Sequence, residues 1–121
     1  MIGIGTDLVD LDRLRTALER TPGLKTRCFT ADERAYAERR VDPVERYAAR
    51  FAAKEAVMKA LGVGLGACEF TDIEVRRAES GQPSAHLHGR AAELAAERGV
   101  TTWHLSLTHT DRAAHAIAVA E

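Results

Sequence analysis

The pattern of apolar and polar residues predicts both strands and helices along the chain. Short apolar runs bounded by turn residues predict strands, at 2–9, 70–77, 84–88, 101–108 and 113–120. Apolar residues spaced three and four apart predict helices, at 10–20, from 30 onward, at 43–61 and at 89–98. Because these elements do not alternate regularly, we expect an α+β fold with a mainly antiparallel sheet on which the long helix packs.

Several helix ends carry signals of their own. Thr30 and Glu33 match the capping box that starts a helix. Asp42 can cap the longest helix, and Pro43 suits its first position. Gly62 suits a left-handed exit at the other end. The longest helix is therefore the best defined of the predicted elements.

An acidic residue lies within the apolar stripe of this longest helix. The stripe consists of Val44, Tyr47, Ala48, Phe51, Met58 and Leu61. Glu55 falls between Phe51 and Met58 at helical spacing, where a carboxylate is costly unless it is paired or binds a metal. The pattern leaves open whether Glu55 forms a buried ion pair or belongs to a functional site.

Asp7 is a second acidic residue on an otherwise apolar element. It could end the strand or cap the next helix, but two carboxylates on rigid elements would also suit Mg²⁺, which takes few protein ligands. Lys59 follows Glu55 by four residues, so it could form a surface pair or neutralise a bound phosphate. Whether Asp7 and Glu55 meet cannot be read from the sequence.

Two further segments are rich in glycine or polar residues. Glycines at 62, 64 and 66 would let the backbone approach a ligand, although the preceding helix C-terminus disfavours anions and no P-loop motif is present. His104, Ser106 and Thr108 share one face of a predicted strand. Since no nucleophile elbow is present, a solvated polar face explains them better than a catalytic triad.

Composition narrows the class of protein. The chain is 45% hydrophobic and 29% charged, which fits one ordinary domain over 1–121. Only 5% of the residues are aromatic, so small aliphatic residues must pack a modest core, and oligomerisation would help it. The net charge of −1 gives no basic field for nucleic acid. Cys28 and Cys68 match no metal spacing, and no leader or membrane segment is recognised, so we expect a cytoplasmic protein.

Short motifs occur in a specific order over nearly the whole chain. They are Gly3-Ile4-Gly5-Thr6-Asp7 with Val9 and Arg13, Phe29 with Glu33, Arg50-Phe51-Ala52-Ala53-Lys54-Glu55-Ala56 with Lys59-Ala60, Gly62-Val63-Gly64, Gly81 with Pro83, and His104-Leu105-Ser106-Leu107-Thr108-His109. In this order they resemble the holo-acyl-carrier-protein synthase family, the small 4′-phosphopantetheinyl transferases. The resemblance implies that family's fold, with one transferase domain over 1–121.

The same resemblance implies a reaction and its chemical groups. The enzyme would transfer 4′-phosphopantetheine from coenzyme A to a serine of an apo acyl carrier protein, release 3′,5′-ADP, and so serve fatty acid or polyketide synthesis. Asp7 and Glu55 would bind Mg²⁺, and Lys59 would contact phosphate. Glu55 is the first candidate for the base, and His109 is the second.

The resemblance also implies binding surfaces and an assembly. The residues at the coenzyme A site would be Arg50, Lys54, Lys59, Gly62, Gly64, Gly81, Pro83, His104, Ser106 and His109. Arg13, Leu14 and Leu18, on the first helix, would meet an acidic helix of the carrier protein. The family resemblance further implies a homotrimer with active sites between subunits.

Two other kinds of protein remain open from the residues. One is a non-catalytic module that binds coenzyme A or a nucleotide. The other is a structural α+β protein in which Glu55 is only ion-paired. A thermal shift with coenzyme A, with and without Mg²⁺, separates the structural protein from the other two, because a ligand of the native state must stabilise it. Labelling of a carrier protein then separates the enzyme from the binding module.

Overall fold

The computed structural model describes residues 1–121 and contains five strands and five helices. In chain order they are β1 (Gly3–Asp10), α1 (Leu11–Arg20), α2 (Leu24–Cys28), α3 (Ala31–Ala37), α4 (Val44–Ala60), β2 (Ile73–Arg77), β3 (Pro83–Leu87), α5 (Gly89–Glu97), β4 (Trp103–His109) and β5 (Ala113–Ala120). One sheet has the order β1-β5-β4 and the other pairs β2 with β3. Every strand pair is antiparallel, which confirms the expected α+β class.

The helix ends largely follow their sequence signals. The Thr30 hydroxyl accepts a bond from the Glu33 backbone N–H (3.2 Å), and Glu33 accepts one from the Thr30 N–H (2.9 Å), so the predicted capping box forms. Gly62 leaves α4 with a φ of +71°, as expected of a left-handed exit. Pro43 is the cap rather than the first helical residue, and Asp42 accepts a bond from the Val44 N–H (3.3 Å).

Two sequence predictions about elements were incomplete. The strand expected to begin at Phe70 begins at Ile73, because residues Phe70–Asp72 form a single 3-10 turn. The helix α2 was not predicted at all. It has only five residues, which is too short to show a helical period.

The longest helix, α4, is the centre of the molecule. It packs against β1 and β5 on one side and against α1, α3 and β2 on others. It is therefore buried around most of its circumference, and the expectation of a single apolar stripe is corrected. The charged residues Arg50 and Lys54 are buried together with the alanines of this helix.

Small residues let α4 lie directly on the sheet. A Cβ atom added to Gly5 would lie 1.9 Å from the Ala56 carbonyl oxygen, and one added to Gly3 would lie 1.9 Å from that of Ala60. The facing residues of β5 are fully buried alanines, at 114, 116, 118 and 120. This close packing brings Asp7 on β1 towards Glu55 and Lys59 on α4.

The opposite face of the three-stranded sheet is uncovered. Ile4 and Leu8 on β1 are 60% and 68% exposed, and Ile117 beside them on β5 is 37% exposed. His104 and Ser106 of β4 lie on the same face. We call this surface the outer sheet face. None of the helices is both long and apolar enough to cross a lipid bilayer.

Candidate active site

Asp7 and Lys59 meet where β1 crosses α4. The Lys59 ammonium donates to Asp7 Oδ1 (3.1 Å) and to the Thr6 carbonyl (2.9 Å). Asp7 is largely covered, with 12% of its side chain exposed, whereas the Lys59 side chain is 55% exposed. The lysine is thus anchored by β1 rather than paired with Glu55, and its ammonium remains accessible from solvent.

Glu55 completes this group from the same face of α4. It is half-buried, makes no salt bridge, and lies close to the carboxyl group of Asp7. Burial, followed by the negative charge of Asp7, raises the pKa of Glu55 to about 7. The structure therefore excludes the buried ion pair that the sequence left open for Glu55. We call Asp7 and Glu55 the acidic pair.

The acidic pair suits a divalent cation. A positive ion between the two carboxyl groups would offset both causes of the raised pKa of Glu55, which are burial and, after it, the negative charge of Asp7. No group of three or more His, Cys, Asp or Glu side chains is placed to hold a metal. Two carboxylates alone fit Mg²⁺, which keeps waters and substrate phosphates in its remaining positions.

An apolar cavity of about 430 Å³ adjoins the acidic pair. Leu14, Leu24, Cys28 and the stacked rings of Phe51 and Phe70 form its walls, and Arg13 and Leu65 are among its other lining residues. The predicted partner contact at Leu14 is corrected, since this residue is 7% exposed and packs into the core beneath α1. Leu18 is half-buried and lines a separate groove beside Tyr47.

Lys54 does not belong to any ligand site, contrary to the sequence prediction. Its side chain has no solvent exposure, and its ammonium binds Glu33 (2.8 Å), the Phe70 carbonyl (2.9 Å) and the Ile73 carbonyl. Burial lowers the pKa of Lys54. The lysine instead ties α4 to α3 and to the start of β2, so it cannot contact coenzyme A.

A second cavity, of about 250 Å³, collects basic residues on another side of α4. We call it the arginine cleft; its lining residues are Tyr36, Arg40, Glu45, Arg46, Ala49, Arg50, Arg77, Gly81, Pro83, Leu107 and His109. Four sequence-predicted residues thus come together here: Arg50, Gly81, Pro83 and His109. Glu45 is the only carboxylate, and it pairs with His109 (3.1 Å) and Arg40 (3.4 Å).

Nearly the whole chain matches a known family, because the model of the 4′-phosphopantetheinyl transferase superfamily covers residues 3–120. The chain belongs to this superfamily. Among curated members, the holo-[acyl-carrier-protein] synthase of Moorella thermoacetica is 47% identical over 121 residues, spanning 100% of this chain and 94% of that protein.

Solved structures of superfamily members share the fold. The holo-[acyl-carrier-protein] synthase of Neisseria meningitidis superimposes with a TM-score of 0.88 at 32% identity, over 100% of this chain and 98% of that one. The enzyme of Bacillus anthracis, solved in complex with CoA (3′,5′-ADP), gives 0.83 at 34% identity, over 99% and 96%. The predicted phosphopantetheinyl transferase fold is confirmed.

Some residues predicted for the transferase site lie in neither cavity. His104 and Ser106 are exposed on the outer sheet face, where His104 lies 3.5 Å from Glu121. Gly62 and Gly64 are exposed in the loop after α4 and line neither the apolar cavity nor the arginine cleft. His109 lies in the arginine cleft and not beside the acidic pair.

Sequence reasoning missed Tyr36, Arg46 and Arg77 of the arginine cleft. One signal was available, because Arg46 and Arg50 are four residues apart and so share one face of α4. Tyr36 and Arg77 could not be found in the same way. They come from α3 and from the end of β2, and only the packing of these elements against α4 brings them together.

Proposed function

We propose that this chain transfers 4′-phosphopantetheine from coenzyme A to a serine of an apo acyl carrier protein. The observation that carries the proposal is the meeting of Asp7, Glu55 and Lys59 at one point of a superfamily member. Its curated relatives are named holo-[acyl-carrier-protein] synthases, and the Bacillus anthracis structure holds CoA (3′,5′-ADP). The product is a holo carrier protein for fatty acid or polyketide synthesis.

The acidic pair would hold Mg²⁺ in this proposal. When bound, the ion would offset the negative charge of the coenzyme A diphosphate and polarise the phosphoryl group. Asp7 and Glu55 would supply its carboxylate ligands. Lys59, anchored by Thr6 and Asp7, would direct its accessible ammonium at the same phosphates.

In the transfer step the protein would mainly position the reactants and neutralise charge. The serine oxygen forms a bond to the β-phosphorus of coenzyme A, and the bond from that phosphorus to the bridging oxygen breaks to release 3′,5′-ADP. We assign the serine proton to Glu55 because, unlike Asp7, it forms no ion pair with a lysine or arginine side chain. His109, the second candidate base, would contact coenzyme A from the arginine cleft.

Coenzyme A also carries a 3′-phosphate on its ribose, separate from the diphosphate. The arginine cleft suits this third phosphate, since several guanidinium groups surround a space with one engaged carboxylate. The cleft and the apolar cavity beside the acidic pair have no lining residue in common. We therefore propose that each active site combines the acidic pair of one subunit with the arginine cleft of a neighbour.

The outer sheet face supports this assembly. Its exposed Ile4, Leu8 and Ile117 form an apolar surface that a monomer would leave in water. We propose a homotrimer that buries this face. His104 and Ser106 would then lie near subunit boundaries, and the loop with Gly62 and Gly64 follows Lys59 directly. Contacts of these four residues with coenzyme A remain predictions.

Carrier docking is proposed on α1. Arg13 is exposed and lines the apolar cavity next to the acidic pair, so an acidic helix placed on α1 would bring its serine close to Glu55. Leu14 and Leu18 would support this helix from beneath. We place the enzyme in the cytoplasm, where its two unpaired cysteines would stay reduced.

Mass spectrometry of apo carrier proteins tests the function. Incubation with this chain, Mg²⁺ and coenzyme A should add the mass of phosphopantetheine to one of several fatty acid and polyketide carriers. Glu55→Gln should abolish the addition with the fold intact, whereas Glu93→Gln, on the exposed side of α5, should leave it unchanged. Binding of coenzyme A without labelling of any carrier would instead support a non-catalytic module.

A further inference from the structure

Tyr36 lies among the guanidinium groups of the arginine cleft. The Cζ atoms of Arg46 and Arg50 lie 4.0 Å and 4.2 Å from the centre of its ring. Those of Arg39 and Arg77 lie 5.8 Å and 5.9 Å away. Arg46 also donates a hydrogen bond to the Tyr36 carbonyl oxygen (2.7 Å). One aromatic ring therefore contacts cations from α4, from the end of β2 and from the loop after α3.

Arg50 is the member of this group that most needs an explanation. It is only 5% exposed, its Nε has no hydrogen-bond partner, and it forms no salt bridge. A buried charge without a partner is costly, and burial accordingly lowers the pKa of Arg50. The electron-rich face of the Tyr36 ring lies against this guanidinium and stabilises its charge, to which the Glu33 carboxylate also contributes.

A carboxylate and an aromatic ring stabilise an arginine in different ways. A carboxylate would cancel the charge of an arginine and occupy its N–H donors, as Glu45 does with Arg40 and His109. A ring face attracts the cation without accepting its N–H bonds. Arg46 uses Nη1 for its bond to the Tyr36 carbonyl oxygen, and its other donors, with those of Arg50, thus remain available to an anion.

We propose that Tyr36 is a positioning residue for anion recognition, which stacks Arg46 and Arg50 so that their donor edges face the cleft. The inference rests on the proposed function in one respect, which is the identity of the anion as the 3′-phosphate of coenzyme A. Tyr36 itself does not touch the reacting phosphorus. Its effect is on the binding of the donor substrate and not on the chemical step.

The test compares coenzyme A with 3′-dephospho-coenzyme A as donors for wild type, Tyr36→Phe and Tyr36→Leu. Tyr36→Leu removes the ring and should raise the KM for coenzyme A about tenfold, with kcat changed less than about twofold. The KM for 3′-dephospho-coenzyme A should hardly change, because it lacks the phosphate that the arginines hold. Tyr36→Phe keeps the ring and should behave like wild type.

Direct measurement of ligand binding tests the role of Tyr36 independently of turnover. Calorimetry with adenosine 3′,5′-bisphosphate and with adenosine 5′-phosphate should show a loss of affinity in Tyr36→Leu for the bisphosphate alone. An equal loss for both ligands, or a Tyr36→Phe variant as damaged as Tyr36→Leu, would overturn the inference. If Tyr36→Leu does not fold, Tyr36→Met replaces it, since a flexible thioether fills irregular space.

Failure of the inference is separable from failure of the proposed function. A wild-type chain that labels no carrier protein contradicts the proposed function, while its affinity for adenosine 3′,5′-bisphosphate still tests Tyr36. A wild-type chain that labels a carrier, together with a Tyr36→Leu variant of unchanged KM, contradicts the role of Tyr36 alone.

Discussion

Lys54 and Glu55 are consecutive residues of α4, yet they lie in opposite environments. The Lys54 ammonium is inside the core, where Glu33 and two backbone carbonyls satisfy its three donors. Glu55 points towards Asp7 at the edge of the apolar cavity, and no cation holds it. The residue that looked like a site ligand is structural, and it is its neighbour to which we assign a catalytic role.

Glu55 should destabilise the metal-free protein at neutral and alkaline pH. Its folded pKa of about 7 lies above the unfolded value of 4.5, so the native state binds more protons between these limits. Stability is therefore lost as pH rises from about 4.5 to about 7. Glu55→Gln should raise the free energy of unfolding at pH 8 without Mg²⁺ by about 1 kcal/mol, after allowance for solvent screening.

Thermal melts at pH 8 and pH 4 measure this effect. The melting temperature of Glu55→Gln should exceed that of wild type by about 4 °C at pH 8, and the difference should vanish at pH 4. Glu93→Gln, an exposed control on α5, should match wild type at both values. A Glu55→Gln variant less stable than wild type at pH 8 would contradict the raised pKa.

The buried pair of Lys54 and Glu33 gives a second prediction at this scale. Lys54→Met should cost about 3–5 kcal/mol, since it leaves the Glu33 carboxylate buried without its cation. Adding Glu33→Gln removes that charge and keeps one carbonyl acceptor, for either the Thr30 or the Val75 N–H group, so the double variant should recover part of the loss. Urea denaturation measures both; a double variant weaker than Lys54→Met would contradict the account.

At the scale of elements, the contact between β1 and α4 decides the site. Gly3 and Gly5 leave no room for a side chain between the strand and the helix. The same contact sets the distances from Asp7 to Glu55 and Lys59. Asp7 follows Gly5 by two residues on β1, and Glu55 and Lys59 directly precede the two alanines of α4 that the glycines contact. The packing of β1 on α4 and the geometry of the candidate site thus depend on the same pair of glycines.

Gly5→Ala should both destabilise the protein and impair transfer. Its Cβ would lie 1.9 Å from the Ala56 carbonyl oxygen, so α4 must move away from β1. We expect a cost of about 3 kcal/mol and a loss of activity larger than the unfolded fraction explains. Gly64→Ala is the stability control, since nothing lies within 4 Å of its Cβ and its φ is not positive. Equal melting temperatures for the two variants would contradict this packing argument.

At the scale of the whole molecule, we propose that a single chain presents two half-sites. The acidic pair and the arginine cleft open on different sides of α4, and the outer sheet face offers a surface on which copies can assemble. An assembly would also help a core built largely from alanine, which buries little area per residue.

Mixed oligomers test whether the half-sites belong to different subunits. Glu55→Gln and the double variant Arg46→Ala/Arg77→Ala should each be inactive or nearly so. Co-expressed in equal amounts, they should recover roughly a quarter of the wild-type sites, because some interfaces pair two intact halves. Mixing Glu55→Gln with Asp7→Asn is the matched control and should restore nothing. No recovery in the first mixture, with oligomers formed, would contradict a shared site.

Much of the fold could be predicted from the sequence because its signals are local. The Thr30 capping box, the Gly62 exit and the extents of α1, α4 and α5 depend on residues within a few positions of one another. The antiparallel class followed from the order of the elements. The same locality explains the errors, since α2 is too short for a period and the 3-10 turn before β2 shares the composition of a strand.

The candidate site could be predicted only in part, because it depends on contacts between residues that are distant in the sequence. Its ordered motifs identified Asp7, Glu55 and Lys59, but their meeting depends on the approach of β1 to α4, which distant glycines permit. Burial of Lys54 and exposure of Glu55 depend on which elements surround α4. Tyr36 and Arg77 join the arginine cleft only through the packing of α3 and β2. The sequence by itself determined the local elements and the kinds of chemical group, whereas only the tertiary structure decided which groups meet, because contacts between distant residues arise from packing.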